Sequence, residues 1–300
     1  MRRSVEVEGR RLSLSNLEKV LYPEAGFTKG EVIDYYTRVW PVLQAHLRGR
    51  PLTLKRYPDG VRGQYFYEKE CPSHRPEWVR TEAVWSTRNG RHVNFCVADD
   101  LPTLVWAANL ADLELHTSLA MATEVATPTT MVFDLDPGAP AAILECARVG
   151  RWLKELFDQL GLESFPKTSG SKGLQVYVPL NTPTSYAETK PFARALAELL
   201  ERQHPELVVS SMKKQLRAGK VLIDWSQNDE HKTTVCAYSL RARERPTVSA
   251  PVTWEEVESA FEAGDPDALA ITSAKALERA TGRGDLFAPV AELEQQLPRL

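Results

Sequence analysis

Two aspartates spaced two residues apart on an apolar strand are the first residues of this chain that could do chemistry. In Met131-Val132-Phe133-Asp134-Leu135-Asp136-Pro137-Gly138, strand positions i and i+2 project from one face, so Asp134 and Asp136 point together. Their Cα atoms would lie about 6.5–7 Å apart, close enough to share or bridge divalent ions, which sit about 3.5–4 Å apart in two-metal sites. Pro137-Gly138 ends the strand and leaves the acids at a sheet rim. Without a cation or a basic group the pair repels and loses solvation; the plainer reading is a solvated strand end. Asp224 repeats the pattern in Val221-Leu222-Ile223-Asp224-Trp225, a lone acid after three aliphatics that a metal shared with the first pair would satisfy. Mg²⁺ or Mn²⁺, held by carboxylate, water and phosphate oxygens, suits such a set. Nucleotidyl transfer and phosphate-ester hydrolysis both fit it. His116 is a candidate neighbour, although a single histidine among Leu113 and Leu115 on a helix is more often a hydrogen-bonded core residue.

A second chemical segment is Lys167-Thr168-Ser169-Gly170-Ser171-Lys172-Gly173. It precedes a strand, whereas a P-loop needs a strand before it and a helix after it. A Ser/Gly turn still offers N–H groups and hydroxyls to a phosphate, with Lys172 as counter-charge; the alternative is an ordinary exposed turn. Downstream, Trp225-Ser226-Gln227-Asn228 and Ser239-Leu240-Arg241-Ala242-Arg243 add polar and guanidinium groups suited to a triphosphate.

The elements that must position these residues follow from periodicity. Thr28-Lys29-Gly30-Glu31 has the capping-box form, and Val32, Tyr35, Tyr36, Val39, Trp40, Leu43 and Leu47 follow at helical spacing. Short strands are predicted at 52–57, 64–68 and 91–97, and a mostly buried helix at 101–116, with Pro102 tolerated in its first turn. A strand at 129–136, an amphipathic helix at 141–160 stopped by Gly161, a strand at 174–178, a helix at 187–204 and a buried strand at 221–225 come next. Helical stretches broken by Gly264, Pro266 and Gly282 form the tail. Strands and helices in this order predict an α+β fold, one compact domain with an internal boundary near 120–128.

Of the 300 residues, 43% are apolar and 26% charged, the composition of a globular protein rather than a disordered, collagen-like or coiled-coil one. No apolar stretch approaches a bilayer span, and the first residues carry charge with no apolar run behind them, so a cytoplasmic protein is expected. Cys71, Cys96, Cys146 and Cys236 match no zinc ribbon or disulfide scaffold and are expected to be reduced. The net charge of −3 hides two basic segments: 13 Lys and Arg against 8 acids over 1–69, and 8 against 5 over 205–245. Local basic density of this kind suits a polyanion, or else solvated helix faces.

FDLDPG, TSGSKGL, AGKVLIDWSQN and TTVCAYSLRAR, in that order, resemble the polymerase domain of bacterial ATP-dependent DNA ligase D, of the archaeo-eukaryotic primase superfamily. The resemblance runs from Leu14 to about Trp254. It implies mixed and antiparallel sheets flanked by helices, with an N-terminal module (about 1–125), an RRM-like module carrying the carboxylates (about 128–250) and a helical tail (about 251–300). It also implies a polymerase that extends DNA ends and fills short gaps with NTPs or dNTPs in non-homologous end joining, uses Mn²⁺ or Mg²⁺, and acts beside Ku and a DNA ligase supplied in trans. Carried over, Asp134, Asp136 and Asp224 resemble the metal-binding triad, and Ser169, Ser171, Lys172, Gln175, Gln227 and Arg241 the nucleotide contacts. Lys19 and Lys29 resemble the pair that grips a downstream 5′-phosphate, and Phe66 and Tyr67 the aromatics beside the template base. Lys55, Lys69, Arg217 and Lys220 match further DNA-facing basic positions.

One departure stands out. The family pattern continues SGSKGLH, and this chain has Gln175 where the histidine would reach the triphosphate. An amide donates a hydrogen bond but carries no charge; a charge-assisted contact is worth about 1.5–3 kcal/mol, so weaker nucleotide binding is expected and lost chemistry is not required. The rival readings are a DNA-end-binding module with weakened catalysis and a DxD phosphohydrolase. Two further motifs lead elsewhere. Lys55-Arg56-Tyr57-Pro58-Asp59-Gly60 has the wrong lysine spacing for a ligase adenylation motif, and Cys71 with His74 lacks a second pair for zinc.

Overall fold

The computed structural model describes residues 2–86 and 90–298. In chain order its elements begin with strands β1 (Arg2–Val7), β2 (Arg10–Ser15), β3 (Val20–Tyr22) and β4 (Phe27–Thr28), then helix α1 (Lys29–Leu47). Strands β5 (Leu52–Arg56), β6 (Phe66–Glu68), β7 (Thr81–Ser86) and β8 (Arg91–Cys96), helix α2 (Leu101–Asn109) and β9 (Asp112–Thr117) follow. Next come β10 (Thr130–Pro137), α3 (Ile143–Gln159), β11 (Phe165–Thr168), β12 (Leu174–Pro179), α4 (Tyr186–Gln203), β13 (Val208–Val209) and β14 (Val221–Asp224). The chain closes with β15 (Thr234–Val235), β16 (Leu240–Ala242), β17 (Pro246–Val248), α5 (Trp254–Ala263), α6 (Ser273–Arg283) and α7 (Ala288–Glu292). The fold is α+β with largely antiparallel sheets. No helix among the described residues is long and apolar enough to cross a membrane.

The chain forms two compact units. Unit 1 comprises Met1–Val125, Thr233–Val248 and Thr272–Asp285; unit 2 comprises Ala126–Lys232, Ser249–Ile271 and Leu286–Leu300.

Unit 1 is built on a sheet of order β15-β9-β5-β8-β7, with β6 also paired to β5. Helix α1 starts where its sequence says it should: the Thr28 hydroxyl accepts from the Glu31 N–H and the Glu31 carboxylate accepts from the Thr28 N–H, satisfying two of the otherwise orphaned groups of a helix start. Its buried face carries Tyr35 and Tyr36, whose hydroxyls donate to the carbonyls of Tyr238 and Leu113 at 2.7 Å each, so even its polar atoms are paired inside the core.

The predicted helix over 101–116 is in fact two elements. Helix α2 ends at Asn109, Ala111 adopts φ +60°, and Asp112–Thr117 is a fully buried strand. A non-glycine residue in the left-handed region stops a helix at a place where the sequence shows no Gly or Pro. The cysteine expectation is also corrected: Cys71 and Cys96 form a disulfide, while Cys146 and Cys236 are free and buried. Cys71 N–H donates to the carbonyl of Asn94, so backbone pairing places the first cysteine beside the end of β8 despite the 25-residue separation.

Unit 2 is built on the sheet β11-β12-β10-β14-β13, antiparallel except for β13 beside β14. Met131, Phe133 and Leu135 of β10, Leu174, Val176 and Val178 of β12, and Val221 and Ile223 of β14 bury one sheet face against α3, α4 and α5. Period two then dictates the rest: the alternate residues, among them Asp134, Asp136, Gln175 and Asp224, lie on the other face.

Candidate functional site

On that second face the register makes one transverse row across four strands. Lys167 of β11 pairs with Gln175 of β12, Gln175 with Asp134 of β10, and Asp134 with Asp224 of β14. Directly opposed residues of an antiparallel pair have side chains on the same face, so Asp224 joins Asp134, and Asp136 follows two residues along the same strand. Asp134 and Asp224 are half-buried and Asp136 is exposed at the strand end. Burial, the Asp136 charge and then the Asp224 charge push the Asp134 carboxyl up to about 6, against the opposing hydrogen bond from Gln175. Three carboxyls on one face, one of them raised by burial and by the charges of the other two, is an arrangement a cation relieves.

The donor chemistry fits a hard divalent ion: carboxylates only, with no thiolate. As the side chains lie, no group of three His, Cys, Asp or Glu among the described residues is arranged to hold a metal ion. The Asp224 oxygens are turned to their own loop, accepting from Ser226 N–H at 3.0 Å, from the Ser226 hydroxyl at 2.5 Å and from Gln227 Nε2 at 3.0 Å. Lys232 Nζ in turn donates to the Ser226 hydroxyl. Gln227, expected as a nucleotide contact, therefore holds Asp224. The loop is anchored by Asn228, fully buried, whose side chain pairs with both N–H and C=O of Val132 as a strand residue would.

The Ser/Gly turn is folded on itself. Ser169 Oγ accepts from the N–H groups of Ser171 (3.2 Å) and Gly173 (3.1 Å), and Ser169 N–H donates to the Gly173 carbonyl at 2.9 Å. Gly170 sits at φ +64°, and a Cβ on Gly173 would lie 2.0 Å from the Leu135 carbonyl oxygen, so both glycines are dictated by the turn and its approach to β10. Lys172 stands exposed at the tip. Gln175, expected to reach a triphosphate, is 4% exposed and spans the row instead: Oε1 accepts from Lys167 Nζ at 2.5 Å, and Nε2 donates to Asp134 Oδ1 at 3.0 Å. Arg217 and Lys220 spend their cations on the carbonyls of Met212 and Pro205.

Unit 1 holds a second cluster, centred on a residue that sequence reasoning passed over. Glu114, 2% exposed, takes Lys55 Nζ at 3.0 Å, His116 Nε2 at 3.0 Å, the Ala242 N–H at 3.0 Å and Arg241 Nε at 3.4 Å. Burial alone would raise its carboxyl, but the His116 hydrogen bond and the Arg241, His116 and Lys55 charges hold it well below the usual range. Burial lowers the His116 imidazole despite that carboxylate. His116 thus lies on strand β9 with Glu114 as its partner, not on a helix. The signal was present: Asp112, Glu114 and His116 alternate with leucines at period two. The Lys55 ammonium also lies over the rings of Tyr57, Tyr65 and Tyr67 at 5.4, 4.8 and 5.3 Å.

Phe66 and Tyr67 are half-exposed on β6, with their neighbour Tyr65. Large aromatic faces open to solvent beside a basic group are what base stacking requires. Lys69 is exposed on the same segment. Lys19 and Lys29 do come together, since Lys29 N–H donates to the Lys19 carbonyl at 2.8 Å. Lys19 pairs with Asp59 at 3.0 Å, and Lys29, 6% exposed, reaches the Ser15 hydroxyl at 3.3 Å. Burial first, and then the Lys19 charge, lower the Lys29 ammonium to about 8.

An α+β core with a carboxylate row on one antiparallel sheet and exposed aromatics among cations on another defines the primase-polymerase class of nucleotidyltransferase. Residues 28–287 match the family described as LigD, primase-polymerase domain, and the chain belongs to it. It is 40% identical over 282 residues to the multifunctional non-homologous end joining protein LigD of Mycolicibacterium smegmatis, covering 93% of this chain and 36% of that one. With the bifunctional non-homologous end joining protein LigD of Bacillus subtilis the identity is 34%, covering 84% of this chain and 40% of that one. The chain thus spans little more than a third of these curated relatives. The polymerase domain of Mycobacterium tuberculosis ligase D, solved in complex with DNA, superposes with a TM-score of 0.87 at 38% identity, covering 95% of this chain and 99% of that one. The family depends on a divalent metal for polymerase activity.

Proposed function

We propose that this chain adds nucleotides from NTPs or dNTPs to a DNA 3′-hydroxyl, at ends and short gaps bearing a 5′-phosphate, in non-homologous end joining. The observation that carries the reading is the register that sets Asp134 opposite Asp224, with Asp136 on the same face. Asp134, Asp136 and Asp224 would hold Mn²⁺ or Mg²⁺. When bound, such an ion supplies charge neutralisation for in-line attack of the 3′-hydroxyl on the α-phosphorus and for the departing pyrophosphate.

The chain's own residues do the positioning. Gln175 and the Ser226–Gln227 pair hold two of the carboxylates, and Lys172 and Arg241 offer cations to the triphosphate, with Ser169 and Ser171 shaping the turn. Lys19 and Lys29 would take the 5′-phosphate; Phe66 and Tyr67 would stack on bases; Lys55, Lys69, Arg217 and Lys220 would add backbone contacts of lesser weight. Ku and a DNA ligase activity are the partners this role requires, and the cytoplasm is its place.

The test is single-nucleotide incorporation on a short-gapped duplex with a 5′-phosphate, offering each NTP and dNTP with Mn²⁺ or Mg²⁺. Templated addition that disappears in Asp134→Ala supports the reading. Phosphate-dependent binding with no addition under any condition would make the chain a DNA-end binder. Hydrolysis of a simple phosphate ester without DNA would make it a phosphohydrolase.

A further inference from the structure

We propose that Lys167 and Gln175 are positioning residues for Asp134, a buried ammonium coupled to the carboxylate through an amide that has only one workable orientation. The proposal rests on Asp134 being a metal-holding carboxylate, as proposed above. Lys167 is 1% exposed, and a lysine is rarely buried so deeply without a specific task or partner. Its Nζ donates to Gln175 Oε1 at 2.5 Å and to Ser249 Oγ at 2.6 Å, and it lies over the Tyr177 ring at 5.4 Å.

The polarity of the chain is settled by chemistry. An ammonium has donors only, so the amide must turn its oxygen to Lys167. Its nitrogen is then committed to Asp134 Oδ1, which it reaches at 3.0 Å. At the other end Ser249 Oγ donates to the Thr168 carbonyl at 2.9 Å, so toward Lys167 it acts as an acceptor. Every link has a single donor and a single acceptor, and the backbone register of three adjacent strands sets their spacing.

Two consequences follow for Asp134. One of its oxygens is held by a donor that cannot rotate away, which limits the rotamers the carboxylate samples. The Lys167 charge also polarises that donor, strengthening its hold. A glutamine serves here because it accepts from one neighbour and gives to the other without ever titrating. Partners of this kind behind metal-holding side chains typically cost 10–100-fold in metal affinity when removed.

The experiment is Mn²⁺ binding to the full chain without DNA or nucleotide, read as the free-ion signal by electron paramagnetic resonance. Lys167→Met is expected to raise the Mn²⁺ Kd about 10–100-fold, and Gln175→Met, which keeps length and removes the amide, to do the same. Because both act through one link, the double variant should be no weaker than the weaker single. In incorporation assays the Mn²⁺ requirement should move by the same factor, while KM for the nucleotide at saturating Mn²⁺ stays put. Unchanged Kd in a folded Lys167→Met, or losses that multiply in the double variant, would overturn the relay while leaving the carboxylate site intact. Should Lys167→Met not fold, Gln175→Met decides alone: an unchanged Kd overturns the proposal. A wild-type chain that binds no Mn²⁺ would remove both the metal site and the relay.

Discussion

Each unit carries polar side chains across adjacent antiparallel strands, and their charge balances run in opposite directions. In unit 2 three carboxylates, Asp134, Asp136 and Asp224, share a sheet face with the buried cation Lys167, with Gln175 between Lys167 and Asp134. In unit 1 the cations Lys55 and Arg241 and the imidazole of His116 converge on the buried carboxylate Glu114, with the fully buried Asp112 two residues away on the same strand. Asp134 is pushed up to about 6, whereas Glu114 is held well below its ordinary value by its basic partners, and Asp112, buried without such a set, is raised. Ionised groups are costly to bury unless paired: Glu114 has its cations within the fold, whereas the three carboxylates of unit 2 are the set that the proposed metal would complete.

The contrast can be broken most sharply at Asp134. Asp134→Ala should lower single-nucleotide incorporation by about 10³-fold or more, the scale of several kcal/mol of transition-state stabilisation, while fluorescence anisotropy shows DNA binding retained. Loss of DNA binding in step with activity would mean the carboxylates serve the fold rather than the reaction.

Next in size is Glu114→Ala, which strands Lys55 and Arg241 beside one another in a buried setting. It should cost about 3–5 kcal/mol, read as a lower urea midpoint at unchanged m-value. The pH dependence checks the sign. A carboxyl depressed in the folded state contributes stability above its ordinary value of about 4.5 and loses it as pH falls below that. The variant's stability should therefore fall less steeply than the wild type's on acidification below pH 4.5.

Asp134→Asn probes the opposite imbalance and should stabilise the metal-free protein at pH 8, by about 1–2 kcal/mol given that the side chain is only half-buried. An acid whose folded value is raised opposes folding above that value, and the opposition fades as pH falls from about 6 towards 4. Melting curves at pH 8 and pH 4 should show the gain at the first and not at the second.

The smallest expected effect is at Lys29, lowered to about 8. Preference for 5′-phosphorylated over 5′-hydroxyl gapped DNA should decline as pH rises from 7 to 9, by about tenfold, the weight of one charge-assisted contact. Lys29→Met should remove both the preference at pH 7 and its pH dependence; a preference that persists would move the phosphate elsewhere.

Local chemistry made part of this molecule readable in advance. The Thr28–Glu31 box starts α1 where its composition indicates, and the apolar segment around Asp134 yields β10 with its two acids together on one face. The Glu114 cluster went unread although its period-two alternation was present, because 101–116 lacks a Gly or Pro at the turn and Ala111 alone breaks the helix with a positive φ. With Asp112–Thr117 taken for helix, the alternation that puts Glu114 and His116 on one face was lost. Gln175 was visible as a departure from the family pattern, but its two partners were not, since hydrogen bonds to Lys167 and Asp134 depend on which strands lie beside β12. The Cys71–Cys96 bond is a case of the same kind, its partners 25 residues apart in the chain.

By itself the sequence determined what periodicity and capping control: that Asp134 and Asp136 share a face, that a helix starts at the Thr28–Glu31 box, and which segments can bury an apolar side. Only the tertiary structure decided that Asp224 stands opposite Asp134, and that a buried lysine two strands away is joined to that carboxylate by an amide. The physical reason lies in the range of the interactions. A side chain's face follows from backbone geometry within two residues, whereas its cross-strand neighbour follows from the register of segments far apart in the chain, set by burying the whole apolar face at once.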